Sequence, residues 1–223
     1  MLKTSPIKVE LIDKMGDDTL VVNAARVSMA KWVDSFTPDK DAKLIAYLAN
    51  HGHWTPFAHP QICVRITAPI FVARQLFKST VGVVRNEISR RYVDAPPEFY
   101  LPETLHSRPA GSIKQGSGSE LHGEENACVR TAIGYTYEYA AKVYNELIEA
   151  GVAPEEARMV LPQGMMTSWI ETASLMAFCR ICRQRLDPHA QRATREVAEQ
   201  LAVIISQLYP VSWSALMGVE GDV

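Results

Sequence analysis

Alternating apolar and polar residues predict two strands in the first third of the chain. The stronger signal lies at residues 61–67, where Ile62, Val64 and Ile66 alternate with more polar neighbours. Residues 7–12 alternate more weakly, which is typical of an edge strand. These two segments predict a small sheet.

Apolar residues at three- and four-residue spacing predict helices along most of the remaining chain. Asp17 and Asp18 give the start signal of the first helix, and Pro69 stands in the first turn of the third. The predicted helices span residues 17–32, 41–50, 69–78, 124–150, a short stretch from Pro154, 172–185 and 188–208. Helices around a small sheet indicate an α+β fold.

Residues 94–123 break this pattern, because Pro, Gly and Ser are frequent there. Such a composition predicts a long mobile excursion. The chain shows no internal repeat and no linker between two independent cores. We therefore predict a single domain over residues 1–223.

The composition is that of an ordinary globular protein, with 223 residues, 47% hydrophobic and 22% charged. The N-terminus lacks the apolar stretch of a signal peptide, and no run reaches the roughly 18 to 20 apolar residues of a membrane helix. Four cysteines do not make a disulfide framework in a chain of this size, which favours a reducing compartment. We expect a cytoplasmic protein without a membrane partner.

The charge distribution argues against a general nucleic-acid binder. The formal net charge is -2, whereas affinity for a phosphate backbone needs a broad cationic face. The basic residues are instead concentrated in residues 65–91 and 180–195. A small anionic ligand fits this distribution better than a polymer.

The most polar cluster is the stretch 86–92, which holds an amide, a carboxylate, a hydroxyl and two guanidinium groups. Ser89, Arg90 and Arg91 offer the hydroxyl donor and planar forks that hold a phosphate dianion. Glu87 would repel phosphate, so we expect it to face a ribose hydroxyl, a ring N–H or an arginine. Together with the basic end of the preceding helix, the stretch predicts a nucleotide pocket. A solvated strand edge with Arg–Glu pairing is the alternative.

Two further segments carry basic residues in unusual contexts. Arg158 lies within an otherwise apolar run, so its guanidinium is either paired or reaches a ligand. Asp187 before Pro188 predicts an N-cap followed by Pro at the first helical position, which places Arg185 and His189 beside a helix start. Such a terminus binds anions through its free N–H groups. Ordinary capping and ion pairing are the alternative for each segment taken alone.

The histidines and cysteines do not predict a metal site. His51, His53 and His59 have no acidic ligand nearby in the sequence. Cys179 and Cys182 have C-x-x-C spacing, but no second pair is present to close a zinc site. Their position within a helix is typical of core cysteines rather than of a redox dithiol.

The order of these segments resembles the flavin-dependent thymidylate synthases. In that family an Arg-His-Arg and a spaced Ser precede Asn-Glu-x-Ser-x-Arg-Tyr, and residues 86–92 match the second half of this signature. The resemblance covers about residues 20 to 210. The other matching segments, in the same order, are 51–57, 68–75, Arg158 with Leu161 and Pro162, and Arg185 with Asp187 and His189.

The first half of the signature differs in this chain. Lys78-Ser79-Thr80 stands where the family has Arg-His-Arg, and the segment before Asn86 is one residue longer. Lys78 keeps a positive charge but has no bidentate fork. Ser79 lacks the imidazole that could stack on a flavin or form a hydrogen bond to it.

The resemblance implies an α+β domain with a small antiparallel sheet flanked by long helices. It also implies the reductive methylation of dUMP to dTMP, with methylenetetrahydrofolate as the one-carbon donor and FAD as the carrier of reducing equivalents from NADPH. No metal and no cysteine nucleophile belong to that scheme. Members of the family are homotetramers whose sites form where subunits meet, so the motifs need not converge within one chain.

The same resemblance implies roles for individual residues. Arg185 becomes the catalytic residue, because a cation near the N3–O2 or O4 edge of uracil favours the ring anion. The implied dUMP contacts are Gln75, Lys78, Glu87, Ser89, Arg90, Arg91, Arg158 and Arg185. The implied FAD contacts are His53, Thr55, Lys78, Ser79, Thr80, Glu87 and Arg180, and Tyr92 and His189 line the folate face.

Two other functions stay open from the residues alone. One is a cysteine-dependent thymidylate synthase or another nucleotide enzyme, which is disfavoured because no cysteine has a Pro-Cys-His-like context. The other is a nonenzymatic nucleotide- or RNA-binding module, including a relative that binds nucleotide and flavin but has lost turnover. Absence of flavin from purified protein that still binds dUMP would favour this module.

Overall fold

One antiparallel sheet of four strands lies at the centre of the computed structural model, which describes residues 2–109, 111 and 116–218. Within that part of the chain the strand order is β1-β2-β4-β3. The strands are β1 (Lys8–Met15), β2 (Gln61–Pro69), β3 (Val83–Glu87) and β4 (Met166–Ser174). The two strands predicted from alternation are β1 and β2, and both predictions are confirmed.

Eight α-helices surround the sheet in the described part of the chain. They are α1 (Asp18–Arg26), α2 (Pro38–Asn50), α3 (Ile70–Leu76), α4 (Gly123–Glu149), α5 (Pro154–Ala157), α6 (Leu175–Arg185), α7 (Arg192–Leu208) and α8 (Pro210–Met217). Short 3-10 turns follow at Val27–Met29, Thr55–Ala58 and Arg158–Val160. The predicted α+β fold, with a small antiparallel sheet flanked by helices, is confirmed.

The alternation of apolar and more polar residues in β2 is explained by the place of this strand inside the sheet. It pairs with β1 on one side and with β4 on the other. Ile62, Val64 and Ile66 point to the covered face and are fully buried. The helices α6, α7 and α8 contribute to the same core. The alternation in the sequence of β2 therefore reflects the burial of one face of the strand.

Two helix boundaries differ from the prediction near the N-terminus. The carboxylate of Asp17 caps α1 as expected, accepting from the Thr19 amide at 2.8 Å. The α1 helix ends at Arg26 rather than at residue 32, because the chain tightens into a 3-10 turn and Ala30 then adopts a left-handed φ of 53°. The α2 helix starts earlier than predicted, with Pro38 in its first turn.

The prediction of helix from residue 172 is wrong at its start. Residues 166–174 form β4, and α6 begins only at Leu175. Ser174 marks the change, because its hydroxyl accepts from the Ala177 amide at 3.2 Å and caps the helix. The strand lies between β2 and β3, and it is buried on both faces along part of its length.

The Pro-, Gly- and Ser-rich stretch at residues 94–123 holds no long helix or strand in its described part. His106 pairs with Glu120 in an isolated antiparallel bridge across it. Residues 110 and 112–115 of the stretch lie outside the described residues, and its mobility stays a prediction. The same holds for the single domain over residues 1–223, which includes Met1 and residues 219–223 outside the described part.

A search of the described residues for membrane-spanning helices finds none of sufficient length and apolar character.

Candidate functional site

Two cavities meet at Arg185, the last residue of α6. The first has a volume of about 650 Å³, and Gln75, Tyr100 and His189 are among its lining residues. The second has a volume of about 260 Å³ and is lined by the segment 78–81 and by α6. Arg185 lines both.

The guanidinium of Arg185 is incompletely satisfied by the protein. Its Nε is buried, and it has no hydrogen-bond partner among the described residues. Buried polar groups are nearly always paired, and Arg185 lines both cavities, so its guanidinium is a candidate for contact with a ligand. The sequence-predicted catalytic residue therefore lies where a ligand in either cavity is within its reach.

Helix α7 fixes the amide of Gln75 in the first cavity. Thr194 donates from Oγ1 to Oε1 of Gln75 at 3.0 Å. Nε2 of Gln75 donates to Oε1 of Gln191. Because both ends of the amide are held, its orientation towards a ligand is set before binding.

His189 also lines the first cavity, but the helix start predicted around it is wrong. Oδ1 of Asp187 accepts from the His189 amide at 2.7 Å and lies 3.0 Å from Nδ1 of the same residue. These contacts close a turn and lower the pKa of Asp187, chiefly through the backbone hydrogen bond. The helix α7 begins at Arg192, so residues 187–189 offer no helix terminus to an anion.

Tyr100, His106 and Arg192 are among the polar lining residues of the first cavity that were not predicted. Burial raises the pKa of Tyr100 to about 12, and its hydroxyl donates to Oε2 of Glu196 at 3.4 Å. Nη1 of Arg192 lies 3.2 Å from Nε2 of His106 and 3.5 Å from a carboxylate oxygen of Glu120. Tyr100 and His106 stand in irregular chain, where periodicity carries no signal.

The second cavity brings together four of the predicted flavin contacts, namely Lys78, Ser79, Thr80 and Arg180. Nη2 of Arg180 donates to the carbonyl oxygen of Val81 at 3.1 Å. Beyond Arg180 lies a third cavity of about 590 Å³, lined mainly by apolar side chains such as Trp54, Val84 and Met176. His53 and Thr55 flank Trp54 in the chain, and both are exposed.

The stretch 86–92 lies apart from these cavities within one chain. Its first residues belong to the edge strand β3, where Glu87 accepts from Oγ1 of Thr167 at 2.7 Å. Nε of Arg91 donates to Oγ of Ser89 at 3.1 Å. The guanidinium of Arg90 lies 5.8 Å from the ring centre of Tyr144.

Tyr92 and Arg158 are exposed as well. The side chain of Tyr92 is 78% exposed. Nε of Arg158 donates to the carbonyl oxygen of Glu155 at 3.1 Å. Among the described residues, Gln75 and His189 line the first cavity, residues 78–80 line the second, and Arg185 lines both. The residues of the stretch 86–92 and Arg158, which were predicted to hold phosphate, lie elsewhere on the surface of the chain.

Comparison with known proteins gives one consistent result. The model of the family described as thymidylate synthase complementing protein matches residues 10–211. A flavin-dependent thymidylate synthase of Thermosipho africanus is 36% identical over 219 residues, covering 96% of this chain and 93% of the relative. The Thermus thermophilus protein of the same name is 38% identical over 207 residues, covering 93% and 74%.

Solved structures agree in fold. The UMP/dUMP methylase PolB from Streptomyces cacaoi, bound with 5-Br dUMP, has a TM-score of 0.86 and 29% identity, and the match covers 98% of both chains. The same methylase bound with 5-Br UMP has a TM-score of 0.85 and 30% identity, covering 96% of this chain and 95% of that one.

Proposed function

The chain belongs to the flavin-dependent thymidylate synthases, and from this premise we propose that it methylates C5 of dUMP to form dTMP. The proposal includes methylenetetrahydrofolate as the one-carbon donor, and FAD reduced by NADPH. The observation that supports it is the position of Arg185, which lines both the first and the second cavity and whose buried Nε has no hydrogen-bond partner among the described residues.

Arg185 acts on the uracil ring in this proposal. A guanidinium beside the O2, N3 or O4 edge stabilises negative charge that develops on the ring, which raises the nucleophilicity of C5. The amide of Gln75, held by Thr194 and Gln191, orients the base in the same cavity.

The residues of the second and third cavities fit a flavin dinucleotide. Lys78 and Arg180 supply positive charge for a diphosphate, and the hydroxyls of Ser79 and Thr80 supply donors. The apolar walls around Trp54 and Met176 suit a flat ring system. When bound, FAD supplies the reducing equivalents that convert the transferred one-carbon unit into a methyl group.

Self-association accounts for the predicted phosphate-binding residues that stand apart. We include a homotetramer in the proposal, with Glu87, Ser89, Arg90, Arg91, Arg158 and Tyr92 completing sites where subunits meet. The surface of α4 supports this, because two residues of this fully described 27-residue helix are buried, namely Ala140 and Tyr144. Tyr135 and Tyr139 on the same helix are 69% and 70% exposed.

Release of tritium from 5-tritiated dUMP tests the proposal. We expect release in the presence of FAD, NADPH and methylenetetrahydrofolate, and loss of release when any one of them is omitted. Formation of dTMP is followed in the same samples. No release from folded, flavin-loaded protein would contradict the enzymatic function and leave a nucleotide- and flavin-binding relative without turnover.

UMP is a second candidate acceptor. The observation in its favour is the likeness to a UMP/dUMP methylase along nearly the whole chain. Tritium release from 5-tritiated UMP, measured beside dUMP at equal concentration, separates the two. A ratio of the two kcat/KM values within tenfold would assign both substrates, and release from dUMP alone would exclude UMP.

The cysteines are expected to be dispensable for activity. Burial raises the pKa of Cys179 to about 11 and raises that of Cys182 further, so both thiols are neutral at pH 8 and are poor nucleophiles. We expect Cys179→Ala and Cys182→Ala to keep kcat within about threefold, with some loss of thermal stability from the cavity each leaves. Tritium release and melting temperature are the measurements. A loss of activity beyond 100-fold in a folded variant would favour a thiol mechanism.

A further inference from the structure

A buried ion pair joins the two strands next to the second cavity. Arg85 on β3 stands opposite Glu171 on β4. Its Nε lies 2.7 Å from Oε2 of Glu171, and its Nη2 lies 3.1 Å from Oε1. The ion pair is therefore bidentate. The side chains are only 11% and 2% exposed. Nothing in the proposed reaction uses either residue.

The same guanidinium also reaches the segment that lines the cavity. Nη1 of Arg85 donates to the carbonyl oxygen of Ser79 at 2.7 Å. One planar group thus holds both carboxylate oxygens and the backbone between Lys78 and Thr80. A lysine has a single ammonium and does not reproduce this three-point geometry.

Aromatic residues fix the pair in place. Nε1 of Trp169 donates to Oε2 of Glu171 at 2.8 Å. The guanidinium carbon of Arg85 lies 5.1 Å from the ring centre of Phe77, and Phe77 meets Trp169 edge to face at 5.3 Å. Trp169 on β4 holds the Glu171 carboxylate, and this carboxylate holds Arg85. The Ser79 carbonyl that accepts from Arg85 is therefore fixed relative to the sheet.

We propose that Arg85 and Glu171 are a positioning pair that fixes the backbone of residues 78–80 against the second cavity. Arg85 lies within β3 and directly precedes Asn86, at the end of the connection that follows Lys78. The pair anchors this connection to the sheet, so the donors of Lys78, Ser79 and Thr80 are in place before a ligand arrives. The consequence for flavin affinity rests on the proposed function, whereas the ordering of the segment does not.

Amide hydrogen exchange and FAD titration test the proposal together. The variants are Arg85→Met, which removes every contact of the guanidinium, and Arg85→Lys, which keeps a charge beside Glu171. We expect exchange in peptides covering residues 77–84 to accelerate at least tenfold in Arg85→Met, where the amides of Ser79 and Val83 are hydrogen-bonded in the wild type. The Kd of Arg85→Met for FAD should rise at least tenfold. The exchange rate and the Kd of Arg85→Lys should lie between those of the wild type and those of Arg85→Met.

Arg26→Lys is the matched control, because Arg26 forms another buried pair, with Asp41, in a different part of the fold. We expect it to lower the melting temperature while leaving exchange at residues 77–84 and the Kd for FAD unchanged. Wild-type exchange and a Kd within twofold in Arg85→Met would overturn the positioning role. If the wild type binds no FAD, the proposed function fails, and the exchange data alone still decide the role of the pair.

Discussion

Replacement of Arg185 by alanine is expected to lower dTMP formation by roughly 10³-fold or more while the fold is kept. Removal of one preorganised charge donor costs about 10² to 10³ in kcat. The base also loses a binding contact in this variant. The physical reason is the charge on the uracil ring, which Arg185 stabilises in this proposal as a residue that lines both cavities. The loss should be larger in kcat than in KM. Initial rates of dTMP formation over a range of dUMP concentrations give kcat and KM separately.

Two variants make this result specific. Arg185→Lys keeps the charge but not the fork, and we expect partial activity. Lys43→Ala removes one exposed positive charge from α2, away from the cavities, and should keep full activity. An Arg185→Ala protein with normal melting temperature and more than a tenth of wild-type kcat would refute the catalytic role of this residue.

The sequence predicts those elements whose buried face is also the apolar face. In β2 the buried positions are Ile62, Val64 and Ile66, so alternation of hydrophobicity and alternation of burial coincide. In α1 the cap Asp17 and the start of the helix are local features, and they require no knowledge of the rest of the fold. These elements are confirmed for that reason.

The strand β4 was not predicted, because polar residues occupy its buried face. Thr167 and Glu171 are 5% and 2% exposed and alternate with Trp169 and Ala173, so no apolar alternation is visible in the sequence. Glu171 tolerates burial because Arg85 pairs with it across the sheet and Nε1 of Trp169 donates to it. That pairing joins residues far apart in the chain, and local pattern carries no trace of it.

The candidate site shows the same division. The polarity of stretch 86–92 and of Gln75 and Arg185 is visible residue by residue, and it pointed to ligand chemistry. Tertiary contacts decide which of these side chains share a cavity. An example is the pair of hydrogen bonds that Thr194 and Gln191 form with the amide of Gln75. The start of α7 illustrates the limit, because the local signal at Asp187 describes a turn equally well.

Loss of the carboxylate at Asp41 is the largest effect on stability that we expect. Asp41 is fully buried at the start of α2, where Oδ1 lies 2.5 Å from Nη2 of Arg26 and Oδ2 accepts from the Thr37 amide at 2.7 Å. Asp41→Ala leaves the Arg26 guanidinium, itself only 7% exposed, without its counter-charge. Removing one partner of a buried pair costs about 3 to 5 kcal/mol.

The α2 helix ends at Asn50, next to the segment 51–57, whose Trp54 lines the third cavity. In a chain of this length, 3 to 5 kcal/mol corresponds to a fall in melting temperature of roughly 6 to 20 °C, measured by calorimetry at one fixed protein concentration. Glu10→Gln is the matched control, because its pair with Lys8 is exposed and contributes little. A fall below about 2 °C for Asp41→Ala would show that Arg26 finds another partner or water, and the buried pair would then not be what ties α1 to α2.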